Sequence, residues 1–144
     1  MKKVLFTLII LTSINNFAQK NKNAVAIIDK YIAMHNDGSD EAIKSFIKET
    51  YDPSLYSKIK KIDRHVDFYK NGINDFGDLN PKVYEVYKET PTKIIVYLIK
   101  EKDDINNKKI DPRYILSMEI DLSPKNPKYL SRGLGLGALV CTIK

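Results

Sequence analysis

Gly72-Ile73-Asn74-Asp75-Phe76-Gly77-Asp78-Leu79-Asn80-Pro81, the run GINDFGDLNP over residues 72–81, is where the chain changes period. Upstream, apolar residues recur every three or four positions, as an amphipathic helix requires. Downstream they alternate, as a half-buried strand requires. Within the run, Asn, Asp, Gly and Pro supply turn chemistry, and Phe76 and Leu79 are the expected anchors to a core. Helices and strands are therefore segregated along the sequence. That predicts an α+β domain with N-terminal helices packed on an antiparallel sheet of about four strands, because parallel βαβ units need the two to alternate.

Three helices are expected before the junction. Ala24, Ile28, Tyr31, Ile32 and His35 share one face of the first, which Asn36-Asp37-Gly38 should stop with Gly38 as a left-handed cap. Ser39 or Asp40 then caps a second helix, whose apolar face is Ala42, Ile43, Phe46 and Ile47. Asp52-Pro53 ends it, and Pro53 opens a third helix whose stripe is Leu55, Ile59, Ile62, Val66 and Tyr69, stopped at Asn71-Gly72. After the junction the strand signals are Val83–Tyr87, Lys93–Lys100 (KIIVYLIK), Tyr114–Leu122 and a last strand within Tyr129–Ile143. Pro91-Thr92, the charged stretch Asp103–Lys109 and Ser123–Pro127 are the connections.

At the far N-terminus, Lys2 and Lys3 precede the apolar run Val4–Ile14, and Ala18 supplies a small residue before Gln19. Residues 1–18 read as a signal peptide, since about eleven apolar residues suit an h-region and fall short of a membrane span. The expected mature protein is a single domain over 19–144, secreted or periplasmic, with no membrane partner once the signal is removed. Its charge excess is +4 after Lys2 and Lys3 are subtracted from 24 basic against 18 acidic residues. The basic residues are interspersed with acids apart from Lys58, Lys60, Lys61 and Arg64, which read as a solvated helix face; no nucleic-acid partner is expected. The lone Cys141 cannot form an internal disulfide and reads as a buried side chain.

His35-Asn36, Gly38-Ser39-Asp40, Phe46-Ile47, Gly77 and Pro127-Lys128-Tyr129 form an outline spread over nearly the whole mature chain. It resembles the secreted bacterial nuclear-transport-factor-2-like (SnoaL-like, cystatin-like) cone domain, often found before serine-hydrolase or tail-specific-peptidase domains. The resemblance implies a cone-like curved sheet that can enclose a pocket. Neither a hydrolase Ser-x-x-Lys nor a Gly-x-Ser-x-Gly is expected and no hydrolase domain follows, so the expected form is a cone standing alone.

Candidate binding residues follow from the helical stripes and the strand tyrosines. His35 and Tyr31 face inward from the first helix and Tyr69 from the third, while Tyr97 and Tyr114 lie on strands that would line a concave sheet. Together they could stack on and hydrogen-bond a small organic molecule or a peptide. His65 sits on the flank of the third helix. Neither His35/Asp37/Asp40 nor Asp63/His65/Asp67 converges at metal-ligand spacing, so neither a metal nor a cofactor is expected. Gly133-Leu134-Gly135-Leu136-Gly137 has no following Gly-Lys-Ser/Thr and reads as a packed or bulged strand, not a phosphate loop. The leading expectation is a non-catalytic binding or accessory module. The alternatives are a small pocket enzyme with isomerase, cyclase or dehydratase chemistry, for which His35 is the one inward acid-base group, and an interaction domain that forms a homodimer.

Overall fold

The computed structural model describes residues 21–100 and 115–138, apart from the side chains of residues 82, 83, 85 and 138. The expected signal segment 1–18, Asp103–Lys109, Tyr114 and Cys141 lie outside the described residues.

Four helices come first: α1 (Lys22–Asp37), α2 (Asp40–Thr50), α3 (Pro53–Tyr56) and α4 (Ile62–Phe76). Their ends follow local chemistry. The Asn21 side chain accepts from the backbone N–H groups of Asn23 and Ala24 at the start of α1, and Gly38 caps its end at φ 71°. Ser39 accepts from the Ala42 N–H to start α2, where Asp40 and Glu41 lie in the first turn. Asp52 accepts from the Ser54 N–H, and Pro53 is the first residue of α3.

The third helix of the sequence reading is two helices. Lys58 and Ile59 donate to the carbonyls of Leu55 and Tyr56 in tightened three-residue turns, and the chain then leaves the helix until Ile62. Lys58/Lys61 and Lys60/Arg64 would stand one turn apart in a continuous helix, where like charges repel. The break leaves Leu55, Ile59 and Ile62 only half-buried, while Val66 and Tyr69 enter the core. Nor does Gly72 stop the last helix, which continues to Phe76 and ends at Gly77, φ 65°. A Cβ at Gly72 would stand 3.6 Å from Leu136 Cδ1, at ordinary contact distance from the last strand.

The strands β1 (Leu79–Glu89), β2 (Lys93–Lys100), β3 (Leu116–Asp121) and β4 (Gly135–Ala138) form an antiparallel sheet in the order β1-β2-β3-β4. β1 begins at Leu79, ahead of the expected Val83, and its pairing with β2 is irregular between Leu79 and Tyr84, around Pro81. On one face Ile94, Val96, Leu98, Leu116, Met118 and Ile120 meet Ile28, Ile43, Ile47, Val66 and Tyr69 from the helices in one hydrophobic cluster. Leu130 ties that layer together: its N–H donates to the Thr50 carbonyl, and its own carbonyl accepts from the Asp52 N–H. The helices cover one face of the sheet; the other face carries Ile95, Tyr97, Ser117 and Glu119 and is only partly covered.

Candidate functional site

The stripe on α1 directs Tyr31 and His35 inward, as expected, where they meet Phe46 and Tyr69. His35 is only 1% exposed and both of its ring nitrogens are engaged. Nε2 lies 2.8 Å from the Gly77 carbonyl oxygen. A carbonyl only accepts, so Nε2 carries the proton, and neutral Nδ1 is left to accept from the Tyr31 hydroxyl at 3.2 Å. Burial holds the His35 pKa below its ordinary value, against the opposing pull of the Gly77 bond and the Asp78 charge. The Tyr69 and Tyr51 hydroxyls share a hydrogen bond of 3.0 Å. Burial raises the phenol pKa of Tyr31, Tyr51 and Tyr69 alike. The imidazole is thus neutral and committed, and the phenols are held protonated.

Asn36, next in sequence, completes a latch. Its side-chain amide donates to the Leu79 carbonyl and its oxygen accepts from the Leu79 N–H, both at 2.8 Å. His35 and Asn36 together therefore grip residues 77–79, the connection between α4 and β1. Asn36→Ala should cost about 1 kcal/mol in stability and accelerate hydrogen exchange at the Leu79 amide, measured by native-state exchange.

Of the five candidate residues, Tyr31, His35 and Tyr69 come together and Tyr97 does not. Val96 and Leu98 point into the core, so strand parity places Tyr97 on the opposite face. There its ring packs against Tyr87, which is 64% exposed, with centroids 5.1 Å apart. Tyr114 lies outside the described residues. His65 is half-buried, with its ring 5.8 Å from that of Tyr51. Asp37 binds the Ser39 hydroxyl and Asp40 pairs with Lys70. No group of three His, Cys, Asp or Glu side chains gathers as a metal site among the described residues. Ser-x-x-Lys spacing does occur, at Ser45–Lys48 and Ser57–Lys60. Both serines are exposed and hydrogen-bonded locally, Ser45 to Glu49 and Ser57 to the Ser54 carbonyl.

The open sheet face holds a second arrangement. Tyr97, Ser117 and Gly137 stand in one cross-strand row, and Ile95, Glu119 and Gly135 in the next. Strands lie about 5 Å apart, so Tyr97, with Tyr87 packed against its ring, stands one strand away from a floor made of serine and glycines. A groove of about 460 Å³ runs over it, lined by Ser117, Glu119, Arg132 and the segment Gly133–Gly137. Its polar end is an ion-pair lattice in which Arg132 bonds Glu119 and Asp121, and Lys93 meets Glu119 at 2.9 Å. The Lys93 bond is the main cause of the depressed Glu119 pKa. Leu134 is buried and Leu136 half-buried, so the expected packing face is there. The same alternation turns Gly135 and Gly137 outward and leaves that side without side chains, a signal present in the sequence. Compared with known protein families, curated proteins and solved structures, the chain matches none of them.

Proposed function

We propose that the protein is an exported, non-catalytic binding module of the nuclear-transport-factor-2-like type that receives an extended peptide on the open face of its sheet. The observation that carries this reading is the trough itself: a glycine and serine floor, an aromatic pair on one flank and Arg132 at one end. Such a floor lets a peptide backbone approach closely, while Tyr87 offers exposed aromatic surface beside it. The expected interior pocket is less favoured, because His35, Tyr31 and Tyr69 are buried and already partnered. An acid-base role for His35 is disfavoured on the same ground.

Gly137 provides the test. A Cβ there meets nothing within 4 Å among the described residues, so Gly137→Val should fold normally while filling the trough. Dodecapeptides selected from a phage-displayed library against the wild-type protein should lose about tenfold or more in affinity for the variant, a loss near 1.4 kcal/mol. An unchanged thermal midpoint would accompany this. Equal affinity for both proteins would exclude the trough.

A further inference from the structure

At the break between α3 and α4, half-buried Leu55 and Ile59 floor a separate groove of about 420 Å³ rimmed by Lys58, Lys60, Lys61, Arg64 and His65. Lys30, Lys44, Lys70, Lys93 and Arg132 all have acidic partners. Lys58, Lys60, Lys61 and Arg64 have no ion pair among the described residues. Neither nearby acid pairs with them: Asp63 lies 3.9 Å from Lys44, and the charge of Asp67 acts on Lys70. Of the three large hydrophobic residues exposed among the described residues, two belong to these helices, Tyr56 at 38% and Phe68 at 44%. Phe68 lies one turn beyond Arg64, on the same side of α4.

Three features of this surface fix its occupant. Four cations rim one groove and none has an ion pair among the described residues, so the surface calls for a partner that carries several negative charges. They surround an apolar floor, and a partner without negative charge would desolvate them uncompensated. Exposed aromatic side chains flank them, of a kind that rests well at a lipid–water boundary. We propose that this groove docks the protein peripherally on an anionic lipid bilayer. Lys58, Lys60, Lys61 and Arg64 meet headgroup phosphates, while Leu55, Ile59 and Phe68 face the acyl boundary. Docking of this kind needs no spanning segment, and no helix among the described residues is long and apolar enough to be one.

Co-sedimentation of the full chain with lipid vesicles tests this. Binding should require phosphatidylglycerol in phosphatidylcholine vesicles and should weaken as salt is raised. Lys58→Glu/Lys61→Glu should lower the phosphatidylglycerol-dependent partition constant by about tenfold or more. The charge-matched control Lys48→Glu/Lys128→Glu, on exposed positions elsewhere, should lower it much less. Phe68→Ser should weaken binding with no change in net charge, and circular dichroism should report an intact fold in every variant. Equal losses in the two double variants, or binding indifferent to phosphatidylglycerol, would overturn the proposal. Groove-dependent capture of polyglutamate with no vesicle binding would also overturn it, in favour of an acidic protein partner.

Discussion

Tyr69→Ala should lower the unfolding free energy by roughly 3–5 kcal/mol, the range for truncating a buried aromatic. The ring packs edge-on against Phe46 at 5.5 Å and Phe68 at 5.2 Å, and lies 6.3 Å from Tyr31. It thus joins α1, α2 and α4 at one point, and no neighbour can fill the space without leaving its own helix. A domain of this size is stabilised by about 5–15 kcal/mol in total, so the variant should be close to unfolding at ambient temperature. Tyr69→Phe isolates the hydroxyl. It leaves the buried Tyr51 hydroxyl without its 3.0 Å partner and the Leu134 N–H without its acceptor, at a cost of about 1–3 kcal/mol. Removing both hydroxyls, with Tyr51→Phe added, should recover part of that loss. Urea denaturation of wild type, Tyr69→Phe, Tyr51→Phe and the double variant, with Tyr69→Ala beside them, checks the series. Additive losses in the double variant would mean that the two phenols do not act as a pair.

The helix ends were legible in the sequence because capping is local. Gly38, Ser39, Asp52 and Pro53 each act within a turn of their own position. The junction at residues 72–81 was read correctly as the change from helices to strands, with Phe76 and Leu79 as core anchors. Two features of the helices do not follow from spacing. Gly72 looks like a stop signal, but the helix runs on to Phe76 and it is Gly77, at φ 65°, that caps it. The Leu55–Tyr69 stripe looks continuous, but the chain leaves the helix between Tyr56 and Ile62, where Lys58, Lys60 and Lys61 crowd like charges.

The candidate site was legible only in part, and register explains the rest. His35 faces inward because the α1 stripe says so, whereas its Gly77 partner lies 42 residues away and could not be read from spacing. In KIIVYLIK every residue between the terminal lysines is apolar or aromatic, so alternation does not reveal which face is inner. Only pairing with β3 shows that Val96 opposes Met118 in the core while Tyr97 opposes Ser117 outside. The tyrosines expected around one pocket are therefore divided between two faces. Those on the inner face hold the fold together, and Tyr97 with Tyr87 supplies the open face with its aromatic surface.

His35→Ala should destabilise the protein by about 2–4 kcal/mol, through a cavity and two lost hydrogen bonds. The Tyr31 hydroxyl loses its acceptor and the Gly77 carbonyl its donor, so the latch on residues 77–79 rests on Asn36 alone. The loss should also depend on pH in a way that a purely apolar core residue would not. His35 titrates below its ordinary value of 6.5 in the folded protein because burial disfavours the imidazolium. Above that value the ring is neutral in both folded and unfolded chains, and its full contribution is present. As pH falls below 6.5 the unfolded chain takes up the proton first, so stability declines until the folded-state value has also been passed. Protonation would moreover turn Nδ1 into a donor facing the Tyr31 hydroxyl, which must then become an acceptor. Denaturation midpoints measured for wild type and His35→Phe across this window separate His35 from the other titrating groups. The wild-type decline should be steeper than that of the variant. Parallel profiles would mean that His35 titrates alike in both states, and its role would then be packing alone.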